Sequence, residues 1–183
     1  MRPDGSEVTH GETGELWVRG KAMFLGYYKR AKANSESFCG EWFRTGDLFR
    51  QDEHGYFQIV GRTKEMIKRA GENIAAREVE ASVKSVDGVE DAIVIAAPDP
   101  VRVEEVFAIV KTSLPPAEQT ALTASILERC SRELAAFKVP RYVQYVTDFP
   151  YTPTGKIKRA DVVGQVSDLL ADCYDRKRNG ALA

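Results

Sequence analysis

Two runs of apolar, β-branched residues, Val89 to Ala96 and Val106 to Thr112, constrain this chain more than any other feature. Such side chains are stiff at χ1 and pack well on a pleated surface, so both runs predict strands, with Pro98 and Pro100 marking the turn region between them. Upstream, Val79, Val83 and Val86 recur at helical spacing until Asp87-Gly88 stops the helix. Downstream, Leu122, Ile126, Cys130, Leu134 and Phe137 line a helical stripe that Pro140 ends. A short strand-like Met66 to Lys68 opens the series, and Tyr142 to Val146 predicts the third strand of the main sheet. The Pro- and Gly-containing loop Pro150 to Gly155 then leads to a last helix over Arg159 to Leu170. The expected fold class is α+β: helices covering a mostly antiparallel, three-stranded sheet. The helical stripes, Cys130 and Phe137 included, are expected to be core.

Residues 12 to 62 have a different texture. Strand-like runs, Glu15 to Arg19 and Tyr56 to Val60, alternate with glycines, which predicts a β-rich segment. Asp52-Glu53-His54-Gly55 lies between strand-like residues, so His54 reads as a turn residue. With 183 residues there is room for one ordinary domain or two small ones.

A formal net charge of -1 gives no overall basic field, so no nucleic-acid partner is expected. Cys39, Cys130 and Cys173 show no CxxC spacing and, with only His10 and His54 beside them, suggest reduced thiols and no metal site. Met1 to His10 is polar and no later stretch is long enough to span a bilayer, so the expectation is a cytoplasmic chain with no membrane partner. Arg2 to Glu7 reads as a turn inside a domain, which predicts a fragment. The tail Asp172 to Ala183, with Arg176-Lys177-Arg178, is expected to be a solvated or frayed end.

Local chemistry offers four candidates. Thr154-Gly155-Lys156 puts a compact cation on a tight loop. It is no P-loop, because Pro150 stands where the first glycine belongs and Ile157 follows the lysine. Lys156 is then either a solvated loop residue or a functional cation. Asp47, just past Gly46, suits a ribose diol as well as a plain turn. Arg62 has a donor fork that fits phosphate or ribose oxygens and equally a structural salt bridge. Gly71 either makes a tight turn or leaves room for a ligand against the backbone.

These stretches together resemble the adenylate-forming superfamily of acyl-CoA synthetases, luciferases and peptide-synthetase adenylation domains. The motifs, in order, are Gly14-Glu15-Leu16 with Gly26-Tyr27-Tyr28, Phe43 to Asp47, Gly61 to Glu80, and Lys138-Val139-Pro140-Arg141 with Pro150 to Lys156. The resemblance covers roughly residues 10 to 163 and is strongest to acyl-CoA synthetases. It implies that residues 1–62 are the β-rich end of a large N-terminal domain, 63–165 a mobile C-terminal lid, and 166–183 a tail, with Lys64 as hinge. It also implies Lys156 as the adenylation lysine, Asp47 and Arg62 as nucleotide-binding residues, and Gly71 at the pantetheine tunnel. Family members commonly carry glycine before the Glu-Glu-like pair, where this sequence has Val103.

The reaction so implied joins a carboxylic acid to CoA at the expense of ATP, with Mg²⁺, through an acyl-adenylate. The family's phosphate-binding loop and carboxylate pocket lie upstream of this chain, so the isolated chain is expected to be inactive and to hold no cofactor tightly. A peptide-synthetase adenylation domain and a stand-alone lid acting as a binding module are the alternative readings. Without the missing N-terminal domain, residues 1–62 are expected to expose edges or apolar surface and to self-associate.

Overall fold

A computed structural model describes residues 1–179. The chain divides after Lys64 into two units, each with its own sheet. In the first unit the strands are β1 (Thr13–Val18), β2 (Phe38–Cys39), β3 (Trp42–Gln51) and β4 (Phe57–Arg62), with a short helix α1 (Ala31–Ser37) between β1 and β2. β1 runs antiparallel along β3, while β2 and β4 pair with the beginning and end of β3. The β3–β4 hairpin closes as expected at Asp52, whose Oδ1 accepts the amides of His54 and Tyr56, both at 2.9 Å. Phe24, Leu25, Tyr28, Tyr56, Phe57 and Ile59 are exposed in this unit.

A 3-10 turn, Thr63–Glu65, runs on from β4 across the division, and the second unit then forms a hairpin of β5 (Met66–Arg69) and β6 (Glu72–Ala75). Helix α2 (Ala76–Lys84) follows, then the long antiparallel pair β7 (Asp91–Asp99) and β8 (Val103–Lys111). Helix α3 (Pro116–Glu133) returns the chain to β9 (Tyr142–Val146), which lies parallel to β8. The three expected strands therefore pair as β7-β8-β9 within a six-stranded sheet, completed by β5, β6 and a short β10 (Tyr174–Asp175).

The apolar runs are explained by burial on both faces. Ala92, Val94, Val106, Ala108, Val110 and Val143 pack beneath α2 and α3, against Val79, Val83, Leu122, Ile126 and Cys130. Their sequence neighbours Ile93, Ile95, Phe107, Ile109 and Tyr142 face the other way, against Phe149 and Val162. A strand whose successive residues point to opposite faces must be apolar throughout when both faces are covered. Full burial of each Val or Ile contributes about 1.5–3 kcal/mol.

Three sequence expectations change here. Phe137 lies in a 3-10 turn, Ala136–Lys138, because α3 already ends at Glu133. The last helix is two short ones, α4 (Arg159–Val163) and α5 (Val166–Ala171), interrupted at Gly164-Gln165. The tail is docked in part: Tyr174 and Asp175 pair with Val143 and Tyr142 of β9, while Lys177, Arg178 and Asn179 of the following α6 (Arg176–Asn179) are exposed as expected. Its last residues, 180–183, lie outside those described.

The β7–β8 turn carries a local conflict. Asp99 Oδ1 accepts the amides of Val101 (3.0 Å) and Arg102 (2.8 Å), and the chain rejoins the ladder at Val103 with φ +70°. A β-branched residue is strained in that region, where glycine is comfortable. The Val103 side chain is exposed, so its loss removes little packing. Val103→Gly is therefore expected to raise stability by about 1 kcal/mol, read from the urea midpoint at unchanged slope.

Candidate functional site

In the first unit the structure brings Asp47 and Arg62 together. They face each other across the β3–β4 ladder, and Arg62 Nε donates to Asp47 Oδ1 at 2.6 Å. The carboxylate is held from behind. Glu15 Oε1 accepts the Gly46 amide at 2.9 Å, and Thr45 Oγ1 donates to Leu16 O at 2.8 Å while accepting the Asp47 amide at 3.1 Å. Glu15 Oε2 also takes Arg44 Nε at 3.2 Å and Trp17 Nε1 at 2.9 Å. Gly46, at φ +72°, lets the strand make this kink. Glu15 is thus a site-organising residue that the sequence reading quoted in a motif without giving it a role. Among the described residues, Asp47 Oδ2 accepts no hydrogen bond, so it can take a further donor.

In the second unit Lys156 sits at the tip of a small hairpin. Thr152 N donates to Lys156 O at 2.7 Å, Gly155 N to Thr152 O at 2.9 Å, and Lys156 N to Thr152 Oγ1 at 3.0 Å. Pro153 presets one turn residue and Gly155 supplies φ +76°. The base of the loop is pinned to the sheet's second face by Phe149, Tyr151 and Ile157. The Lys156 side chain is exposed and has no ion-pair partner among the described residues. Lys64 is exposed as well, within the 3-10 turn that joins β4 to β5.

Gly71 resolves into a turn that is also open. Ala70 (φ +50°) and Gly71 (φ +90°) form the two-residue connection between β5 and β6, a type I′ geometry that demands positive φ at both positions. Nothing lies within 4 Å of where a Gly71 Cβ would be. Gly71 and Lys156 belong to separate hairpins of the unit.

Sequence reading gave no role to the charged cluster that anchors the Gly71 hairpin. Glu105, 1% exposed, is met by Arg69 Nε at 2.5 Å and Arg102 Nη1 at 3.1 Å. Ala70 N donates to Arg102 O at 3.0 Å, and Lys68 N to Glu104 Oε2 at 2.6 Å. Arg141 reaches the same place from the end of the Lys138-Val139-Pro140-Arg141 stretch, bonding Asp99 Oδ2 at 2.6 Å and Asp175 Oδ1 at 3.1 Å. Burial by itself would raise the Asp175 carboxyl, but Arg141 and the Lys177 amide outweigh it and hold Asp175 below the usual carboxylate range. Asp99 is lowered likewise, its desolvation overcome by the Val101 amide and Arg141. The Asp175 carboxylate in turn pushes Arg141 up.

Among the described residues, no group of three or more His, Cys, Asp or Glu side chains could hold a metal ion, and no helix is long and apolar enough to cross a membrane.

The chain is similar to known proteins in sequence and fold. The family described as AMP-binding enzyme C-terminal domain matches residues 78–156. The sulfoacetate–CoA ligase of Cupriavidus necator is 37% identical over 158 residues, covering 85% of this chain and 30% of the ligase. The anthranilate CoA ligase AuaEII, solved with anthranoyl-AMP, aligns with a TM-score of 0.79 and 33% identity over 90% of this chain and 32% of its own. ATP-bound MatB from Rhodopseudomonas palustris aligns with a TM-score of 0.78 and 29% identity, over 91% of this chain and 33% of MatB. The chain thus spans about a third of the length of the proteins it matches.

The anchoring cluster can be tested in the chain alone. Carboxyls depressed in the folded state contribute stability above their unfolded pKa, about 3.9 for Asp, and lose it as pH falls through the folded values. Unfolding free energy is therefore expected to be flat near neutrality and to fall below about pH 4. Asp175→Asn should be less stable at pH 7 and show a shallower acid limb, read from urea midpoints across the pH series.

Proposed function

The chain belongs to the AMP-binding enzyme C-terminal domain family, and from that premise we propose that it is the C-terminal part of an ATP-dependent acid–thiol ligase. The observation that carries this reading is the Asp47–Arg62 pair in one unit together with an exposed lysine on a braced loop of the other. In the first half-reaction a carboxylate oxygen attacks the α-phosphorus of ATP and the bond to pyrophosphate breaks, giving an acyl-adenylate. Lys156 would offset the negative charge that develops on the phosphoryl and carboxylate oxygens, a preorganised electrostatic role. The free Oδ2 of Asp47 fits a ribose hydroxyl as donor, and Arg62 steadies that carboxylate.

In the second half-reaction a thiol sulfur attacks the acyl carbonyl, AMP leaves and the thiol proton is lost. The open space at Gly71 suits the close passage of a slender thiol-bearing arm such as that of CoA. Exchange of the Lys156 hairpin for the Gly71 hairpin would take place by rotation about Lys64, which lies in the short turn between the two units. Mg²⁺ would accompany ATP in the whole enzyme, and no residue of this chain is assigned to it. The unit boundaries proposed for the whole protein are 1–62, 63–165 and 166–183, in a cytoplasmic enzyme.

The test is a chimera in which this chain replaces the matching segment of the sulfoacetate–CoA ligase. The chain by itself should form no acyl-AMP, whereas the chimera should. In the chimera, Lys156→Ala is expected to slow adenylation about 100-fold or more, measured by pyrophosphate release. Transfer from supplied acyl-adenylate should stay within a few-fold, and Gly71→Leu should give the opposite split. Equal loss of both half-reactions in either variant would reject the division of roles.

A further inference from the structure

Arg159 lies three positions beyond Lys156 and opens α4. Its Nη1 donates to Val94 O at 2.6 Å, and its Nη2 meets Glu80 Oε1. Glu80 Oε1 also accepts the Val94 amide at 2.8 Å. β7 is an edge strand, paired only with β8, so the Glu80–Arg159 pair answers both outward main-chain groups of Val94 where another strand would otherwise bind. The same guanidinium faces Glu65 Oε1 at 3.7 Å through Nε, and Glu65 directly follows Lys64.

The side chains of Arg159 and Glu80 are only 22% and 12% exposed, so solvent weakens this contact little. Glu65 Oε2 is buried without a hydrogen-bond partner, with Arg77 Nε at 3.5 Å as its nearest cation. Arg159 and Arg77 thus meet the two oxygens of the Glu65 carboxylate, and of the two arginines Arg159 is also bonded to β7. Among the described residues, the loop's other ties to the unit are apolar contacts and the Lys111 ammonium 5.8 Å from the Tyr151 ring, while the bond from Lys158 N to Pro150 O at 2.7 Å closes the loop on itself. Apolar contacts fix depth well and direction poorly, whereas a guanidinium shared among a carbonyl and two carboxylates fixes direction.

We propose that Arg159 is a positioning residue that holds the Lys156 hairpin in register with the β7 edge and with the turn after Lys64. This rests on the reading of Lys156 as the adenylation lysine. Rotation of the unit then carries the lysine as part of a rigid body, not as the end of a swinging loop.

The first arm of the test needs only the chain. Amide hydrogen exchange is compared in Arg159→Gln, Arg159→Lys and Glu80→Gln. Arg159→Gln is expected to speed exchange at Thr152, Gly155 and Lys156 about tenfold or more, with Ile109 and Val110 of β8 unchanged. Glu80→Gln should act in the same direction, and Arg159→Lys should restore part of the protection. Loop exchange at the unaltered rate in Arg159→Gln overturns the proposal. Should that variant lose protection throughout, Glu80→Gln decides by the same criterion. The second arm uses the chimera. Arg159→Gln should lower the adenylation kcat about tenfold at unchanged KM for ATP, and adding it to Lys156→Ala should cause no further loss. Losses that multiply would show that Arg159 acts otherwise than through the lysine and would overturn the proposal. If Lys156→Ala alone leaves adenylation intact, it is the functional reading that fails, and the exchange arm still decides whether Arg159 holds the loop.

Discussion

The second unit depends on one constraint: the β7–β8 pair is covered on both faces, by α2 and α3 on one side and by the 149–162 segment with α4 and α5 on the other. Nothing chemically reactive can be placed along such strands without leaving a polar group buried and unpaired. Polar and charged groups are left to the ends and edges of the sheet, among them the turns at Gly71 and Lys156 and the edge at Val94. Glu105, a buried carboxylate on β8 itself, is tolerated because Arg69 and Arg102 bond it directly.

The same constraint decides what could be read from the sequence. Runs such as Ile93 to Ala97 and Val106 to Val110 announce strands because every position is apolar, and the stripes of α2 and α3 announce what covers them. The docked tail gives no such signal. β10 is two residues long, and the burial of Asp175 depends on Arg141, 34 positions earlier. β3 was equally hard to read, because Thr45-Gly46-Asp47 in its middle looks like a turn. Only Glu15, reaching Gly46 from 31 positions away, keeps that kink within the strand. The Asp47–Arg62 pairing follows from the β3–β4 register, which the Asp52–Gly55 turn sets and which no local window reveals.

Family resemblance located the individual residues, and the structure adds what holds them. At the β7–β8 turn the resemblance marked Val103 as a departure, and the backbone there still adopts the glycine conformation. Asp99 explains why: its carboxylate caps the Val101 and Arg102 amides and bonds Arg141, so the surroundings over-determine the turn and the valine follows. Because the Ala70 amide bonds Arg102 O within that same turn, the Gly71 hairpin inherits its placement from the strained one.

The cations of this unit divide into two kinds, and the division bears on mechanism. Arg69, Arg141 and Arg159 lie largely out of solvent, and their donors are taken up by carboxylates and carbonyls, so their charge is neutralised where it stands. Lys111 and Lys138 are likewise engaged, by Asp148 and Glu78. Lys156 has the reverse arrangement: its backbone is fixed by a hairpin and, among the described residues, its ammonium has no ion-pair partner. A charge held this way needs little reordering before it meets an anion, and no internal partner has to be broken first. Its effect then depends on how firmly the hairpin's base resists rotation, which makes the half-buried arginine three residues on the structural complement of the exposed lysine.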